Sequence, residues 1–213
     1  MTLIDVKTFN IELELIDNLL RNSNIEEHTK NYILIRLSAL LENGIKLSIT
    51  RTIEQYKNKN NCNKRFFMNL SFDELKQISN KEKSIDEVYF ENNQNLTNVK
   101  NINNAFVNFF GFKIFELLDF CIGEKTNYER DIHHFVSQRN DVVHNLSNTN
   151  FSSDDLNKFK EIILSFLEDL QIFMNSFGEL IETNTRSGKL SDSEKNQLKN
   201  NFLKIKKLHQ SKK

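Results

Sequence analysis

Not one proline interrupts these 213 residues, and only five are glycine. Proline removes a backbone donor and clashes inside a helix, while tight β turns need glycine at positive φ. A chain this poor in both is free to run in long helices and poorly equipped for a turn-rich β fold. Its apolar residues repeat accordingly. Leu156, Phe159, Ile163, Phe166, Leu170, Phe173, Phe177 and Leu180 alternate steps of three and four, a heptad-like seam. Ile162, Leu167, Met174 and Ile181 widen that stripe beyond a two-stranded seam. Core packing within a bundle is the first reading and a dimer contact a second use. The expected fold class is all-α.

The same periodicity places the other elements. Val6, Phe9, Leu13, Ile16 and Leu20 mark a first helix over residues 5–21. Ile33, Leu34, Leu37, Leu41, Ile45, Ile49 and Ile53 mark a longer one over 26–58. Residues 59–100 are rich in Asn and Lys and read as a variable insertion with partial order. It holds one short helix over 71–79, with Ser71 as N-cap and Glu74 closing a capping box. Helices over 103–110, ended by Gly111, and over 112–122 follow. Residues 128–146 form the next, with Asn127 as a possible cap and Glu129 and Asp131 favouring its N-terminal dipole. Ser152 or Ser153 caps the seam helix. Residues 183–189 read as a linker, after which Ser191-Asp-Ser-Glu194 opens a basic amphipathic helix to residue 209. The organisation is thus a helical domain over 1–182 and a linker with a basic C-terminal helix over 183–213.

Formal net charge is zero, so no global field selects a nucleic-acid or membrane partner. Charge is nevertheless uneven, mostly acidic over residues 1–27 and rich in lysine from Ser191 onward. Lys195, Lys199, Lys204, Lys206, Lys207, Lys212 and Lys213 form either a phosphate-attracting face or a solvated one. Leu198, Phe202, Ile205 and Leu208 are expected to pack that helix on the body or on a partner. Cys62 and Cys121 lie on unrelated segments without metal-ligand spacing and read as reduced thiols. With no secretion signal and no membrane-length apolar run, a cytoplasmic location is expected. Gly-rich phosphate loops, Gly-x-Ser-x-Gly elbows and His-Glu-x-x-His pairs are absent.

One segment carries chemistry. Arg139-Asn140-Asp141-Val142-Val143-His144 lies on the helix over 128–146. Its apolar stripe is Ile132, Phe135, Val136, Val142, Val143 and Leu146, and Arg139 falls in the middle. A guanidinium against a core needs a partner, because its desolvation costs several kcal/mol. Glu42 sits at the margin of the apolar sector of the 26–58 helix and needs a cation for the same reason. The two are expected to pair. His133, Ser137, Asn140 and His144 fall at i, i+4, i+7 and i+11, one polar edge along one side. Arg139 and His144 themselves point about 140° apart.

Arg-x4-His with Asn after the arginine, late in an all-helical chain, resembles the signature of the HEPN superfamily of metal-independent ribonucleases. Ser38-Ala39-Leu40-Leu41-Glu42 resembles an early long helix of that family. Asn101 to Gly111 is similar to the short helix before the motif helix in HEPN-like nucleases of bacterial defence and toxin loci. The resemblance implies a metal-independent endoribonuclease, without cofactor, acting as a homodimer in which two motif helices line one cleft. Arg139, Asn140 and His144 would then be catalytic, with His133 and Ser137 against the RNA and Glu42 in support. It further implies a toxin or phage-defence effector held in check by an antitoxin or other defence-system protein.

The chemistry of these residue types suits such a role. Imidazole titrates near pH 6.5 and serves as general acid or base at His144. The planar fork of Arg139 matches phosphate oxygens, and Asn140 is placed to orient the phosphate or His144. The product would carry a 2′,3′-cyclic phosphate. A related HEPN branch is controlled by adenylylation of a tyrosine two residues after the motif histidine; here Leu146 stands at that position, so that control is not expected. His134 faces away from both stripes and is expected at the surface. A zinc site on His133 and His144 lacks further ligands on the helix. The competing expectations are a catalytically silent HEPN-like module binding protein or nucleic acid, and a helical adaptor docking another bundle.

Overall fold

The computed structural model describes residues 6–21, 25–57, 72–83, 87–90, 96, 98–145, 152–183 and 190–211. Its elements are α1 (Val6–Leu20), α2 (Glu27–Lys57), α3 (Phe72–Ser79), α4 (Val99–Phe110), α5 (Ile114–Ile122), α6 (Tyr128–Asn145), α7 (Ser153–Thr183) and α8 (Asp192–Gln210). A further single helical turn spans 87–90, and no strand occurs among the described residues. The fold is all-α, and the expected helices are present to within a few residues at their ends. The largest shift is at α4, which begins at Val99 because Asn98 caps it, its side chain accepting from the Asn101 N–H.

The two longest helices, α2 and α7, form the centre. Every residue of the α7 seam from Leu156 to Leu180 is buried, as is the α2 row from Ile33 to Ile53. Gly44 allows their close approach, since a Cβ there would lie 2.7 Å from Leu167 Cδ2. α1 packs on both, tied by Lys160 Nζ to Asp17 Oδ1 at 2.7 Å and by an ion pair between Arg36 and Glu12. α6 also packs on both α2 and α7, with Phe135 edge-on to Phe159 at 5.3 Å. α4 and α5 add an aromatic cluster in which Phe112 meets Phe173 and Phe177. Apolar burial of this extent is the main favourable term in folding.

Caps follow the chemistry of the sequence. Ser152 Oγ accepts from the Asp155 N–H while the Asp155 carboxylate accepts from the Ser152 N–H, a reciprocal pair at the start of α7. Ser191 and Glu194 form the same device on α8. Gly111 ends α4 with φ 80°, where a Cβ would be strained. Ser71, Cys62, Leu146, Lys212 and Lys213 lie outside the described residues.

Part of the 59–100 segment is anchored in the core. Tyr89 is buried against Phe109 at 4.6 Å, its hydroxyl accepts from Asn108 Nδ2 at 3.1 Å, and Leu96 is fully buried. α8 lies on α5 and α7 through Leu198 and Phe202, both buried, so the basic helix packs on the body. Leu208 departs from expectation and is exposed, although Lys206 and His209 on either side of it meet Asp169 and Glu168 of α7.

Candidate active site

The start of α6 is fixed by a loop as well as by the expected asparagine, which stands at the N-cap position. Thr126 Oγ1 donates to Asp119 Oδ1 at 2.6 Å, the Thr126 N–H donates to the same oxygen, and the Tyr128 N–H donates to Thr126 Oγ1. Asn127 takes φ 62°, a left-handed conformation that asparagine tolerates, and its carbonyl accepts the first helical bond, from the Asp131 N–H. The register of the helix is set from there.

Ile132, Phe135, Val136 and Val142 are buried and fix which face of α6 looks inward. Val143 corrects the expected stripe. It is 41% exposed, although its neighbour Val142 in the same turn is buried. His133 and Ser137 are exposed and Asn140 is half-buried, all on one side. His134 is exposed and its ring stands 5.8 Å from that of Phe159. His144 belongs to the final turn of α6, with its side chain outside the described residues.

Arg139 sits where the periodicity puts it, half-buried at the inward margin of α6. Its Nη1 donates to Asn140 Oδ1 at 3.0 Å, whereas its Nε is buried and has no hydrogen-bond partner among the described residues. The expected Glu42–Arg139 ion pair is not formed. Glu42 Oε1 instead pairs with Lys46 Nζ at 2.7 Å, one turn away on α2. Glutamate four residues before lysine is the favourable helical order, and half-exposed positions let it form without another element. Arg139 is thus a cation whose forward edge is steered by a neutral amide and whose Nε still wants an acceptor. Among the described residues no three His, Cys, Asp or Glu side chains stand together as a metal site.

The structure also joins residues that sequence reasoning left apart. The Tyr128 hydroxyl, at the first turn of α6, donates to Asp169 Oδ2 at 2.8 Å and lies 2.7 Å from Ser165 Oγ. Asp169 Oδ1 meets Lys206 Nζ at 2.8 Å. Three helices, α6, α7 and α8, are therefore tied through one buried carboxylate. Burial, first of all, pushes the Tyr128 hydroxyl well above its ordinary range, and neighbouring Asp169 pushes the same way. The available signal was Asp169 itself, a carboxylate between Phe166 and Phe173 on the apolar side of α7. Lys206 is accordingly engaged, as are Lys195 with Asp192 and Lys199, which lies 5.1 Å over the Phe120 ring. Lys204 and Lys207 remain exposed.

A family model described as RiboL-PSP-HEPN matches residues 6–176, from α1 through most of α7, and the chain belongs to that family. No curated protein and no solved structure matches it. Membership assigns a nuclease-type or nucleotide-binding helical module.

Proposed function

We propose that this RiboL-PSP-HEPN chain is a metal-independent endoribonuclease whose working groups are Arg139, Asn140 and His144. The observation that carries the reading is Arg139. A guanidinium at the inward margin of the motif helix, whose Nη1 edge is held by a neutral amide rather than by a carboxylate among the described residues, keeps its full charge for an anion that brings its own oxygens. A phosphodiester supplies them in the fork geometry that arginine favours. Asn140 holds the Nη1 edge and keeps the planar group from turning away.

The reaction follows from those groups. The ribose 2′-oxygen attacks the adjacent phosphorus, a P–O2′ bond forms and the P–O5′ bond breaks. One proton leaves the 2′-hydroxyl and one reaches the departing 5′-oxygen, and an imidazole at His144 is suited to move either. Arg139 stabilises the charge that builds on the phosphoryl oxygens. The products are a 2′,3′-cyclic phosphate and a free 5′-hydroxyl. His133 and Ser137, on the exposed edge beside Asn140, serve as contacts to the flanking nucleotide. Because Arg139 and His144 diverge by about 140° on one helix, the site is completed by a second protomer. The biological setting proposed is a toxin or phage-defence effector in the cytoplasm, restrained by a partner protein.

Arg139→Ala and His144→Ala test the assignment. Each is expected to lower RNA cleavage by about 10²–10³-fold or more with helix content unchanged by circular dichroism. Variants that still bind RNA but never cut, beside a parent that never cuts, would favour the catalytically silent module instead.

A further inference from the structure

We propose that α8 braces the motif helix α6, with Lys199 and Lys206 as positioning residues for the reaction above, on which this inference rests. The family match ends at residue 176, so α8 lies beyond the matched part. Leu198 and Phe202 seat it on α5 and α7, and two of its lysines reach the body beside them. Lys199 and Lys206 are seven residues apart, two helical turns, so they project from one side of α8. The Lys206 ammonium meets Asp169 Oδ1 at 2.8 Å. The Lys199 ammonium lies 5.1 Å over the Phe120 ring and 3.5 Å from the point at which a side chain on Gly123 would begin. Gly123 is the C-cap of α5, so that cation stands at the negative end of the helix dipole.

These two contacts bracket the loop that launches α6. Residues 123–127 run from the end of α5 to the start of α6, held by Thr126 on Asp119 Oδ1. Lys199 meets the loop where it begins. Lys206 acts where it ends, through Asp169, whose second oxygen accepts from the Tyr128 hydroxyl at 2.8 Å. One carboxylate thus receives α8 on one oxygen and α6 on the other.

The link has a chemical basis. Asp169 is only 5% exposed, and a carboxylate this buried is stable only when a cation and hydrogen bonds compensate it. Lys206 is supplied only while α8 is docked. Without it the carboxylate lacks a counter-charge and has to turn toward water, which competes with the Tyr128 hydroxyl for its oxygens. Buried Ile132, Phe135 and Val136 fix the rotation of α6, but apolar contacts are non-directional. Hydrogen bonds at the first turn are directional and set the position of the helix along its axis. Arg139 follows Tyr128 by eleven residues, roughly 16 Å along a rigid helix, so a shift at the first turn is carried to the guanidinium. A displacement of about 1 Å can cost up to about 10²-fold in rate. Loosening α8 therefore slows the site without α8 ever having covered it.

The test is steady-state cleavage of a short RNA by the full chain and its Lys206→Met, Lys206→Arg and Lys204→Met variants. Hydrogen exchange at the amides of residues 128–132 is read in parallel. Methionine keeps most of the lysine stem without its charge, arginine returns a cation to Asp169, and Lys204→Met removes the same charge from an exposed position of α8. For Lys206→Met the expected result is a kcat lowered about tenfold at unchanged KM, with faster exchange at the start of α6. Lys206→Arg and Lys204→Met should match the parent. Tyr128→Phe, which keeps the ring edge-on to Phe166, carries the same expectation should Lys206→Met fail to fold. In the Tyr128→Phe background Lys206→Met should add little further loss, because both act through Asp169. An equal rise in KM for Lys206→Met and Lys204→Met would make α8 a phosphate-attracting face and overturn the brace. Unchanged exchange in a folded Lys206→Met protein, or independent losses in the double variant, would overturn it too. A parent that cuts no RNA while exchange responds as expected would leave the brace standing and remove the proposed activity, so the two failures are distinguishable.

Discussion

The guanidinium of Arg139 was legible as a problem before it was visible as a site. A permanent cation in an apolar stripe demands an acceptor, and periodicity alone placed it there. The identity of its neighbour was not legible, because Glu42 had two cations within reach and only the fold decides between a local and a distant one. Lys46, one turn along α2, needs no tertiary alignment and takes the carboxylate. Arg139→Lys therefore tests what the planar fork contributes: cleavage is expected to fall at least tenfold while charge and fold are retained, read as kcat/KM on a short RNA. The buried Asp169 gives a second test at this scale. Tyr128→Phe removes one donor and should cost about 1–2 kcal/mol in chemical denaturation. Lys206→Ala strips Asp169 of its cation and should cost more, toward about 3 kcal/mol.

The helices themselves were legible because each buries one face, and a period of 3.6 survives in the sequence wherever a single face is buried. The α7 seam and the α2 row were read residue by residue and are buried as read. Helix ends were less so. Val143 and Leu208 fit their stripes by angle yet are exposed in the last turns of their helices, and periodicity carries no information about which positions a neighbour covers. The 59–100 segment concealed Tyr89 and Leu96, two core residues in a polar surround too short to show a period. Two substitutions probe this scale. Ser191→Ala should remove about 1 kcal/mol from the start of α8 and speed amide exchange in its first turn. Gly44→Val should force α2 and α7 apart at Leu167 and destabilise the protein by about 1–3 kcal/mol in denaturant.

At the scale of the whole molecule, one core joins every long helix, α8 included, so unfolding is expected to be cooperative. Its alkaline limit follows from groups inside that core. Burial pushes the Cys121 thiol up from 9.0 to about 12, with Lys199 opposing weakly, and burial raises the Tyr89 and Tyr128 hydroxyls too. The folded state thus keeps protons that the unfolded chain releases. The stability they contribute is complete below about pH 9 and is lost as pH climbs toward 12. Thermal melts should show Tm falling through that window, and Cys121 should resist thiol reagents at pH 8 until the chain unfolds. The family and the all-α architecture were within reach of the sequence, whereas which apolar residues are left uncovered is a property of the assembled fold. The most direct measurement of the central claim is end-group analysis of RNA incubated with the pure protein in excess chelator. The account predicts fragments ending in 2′,3′-cyclic phosphate and beginning with 5′-hydroxyl, formed at an undiminished rate. Fragments bearing 5′-phosphate, or cleavage that stops when divalent ions are removed, would contradict it.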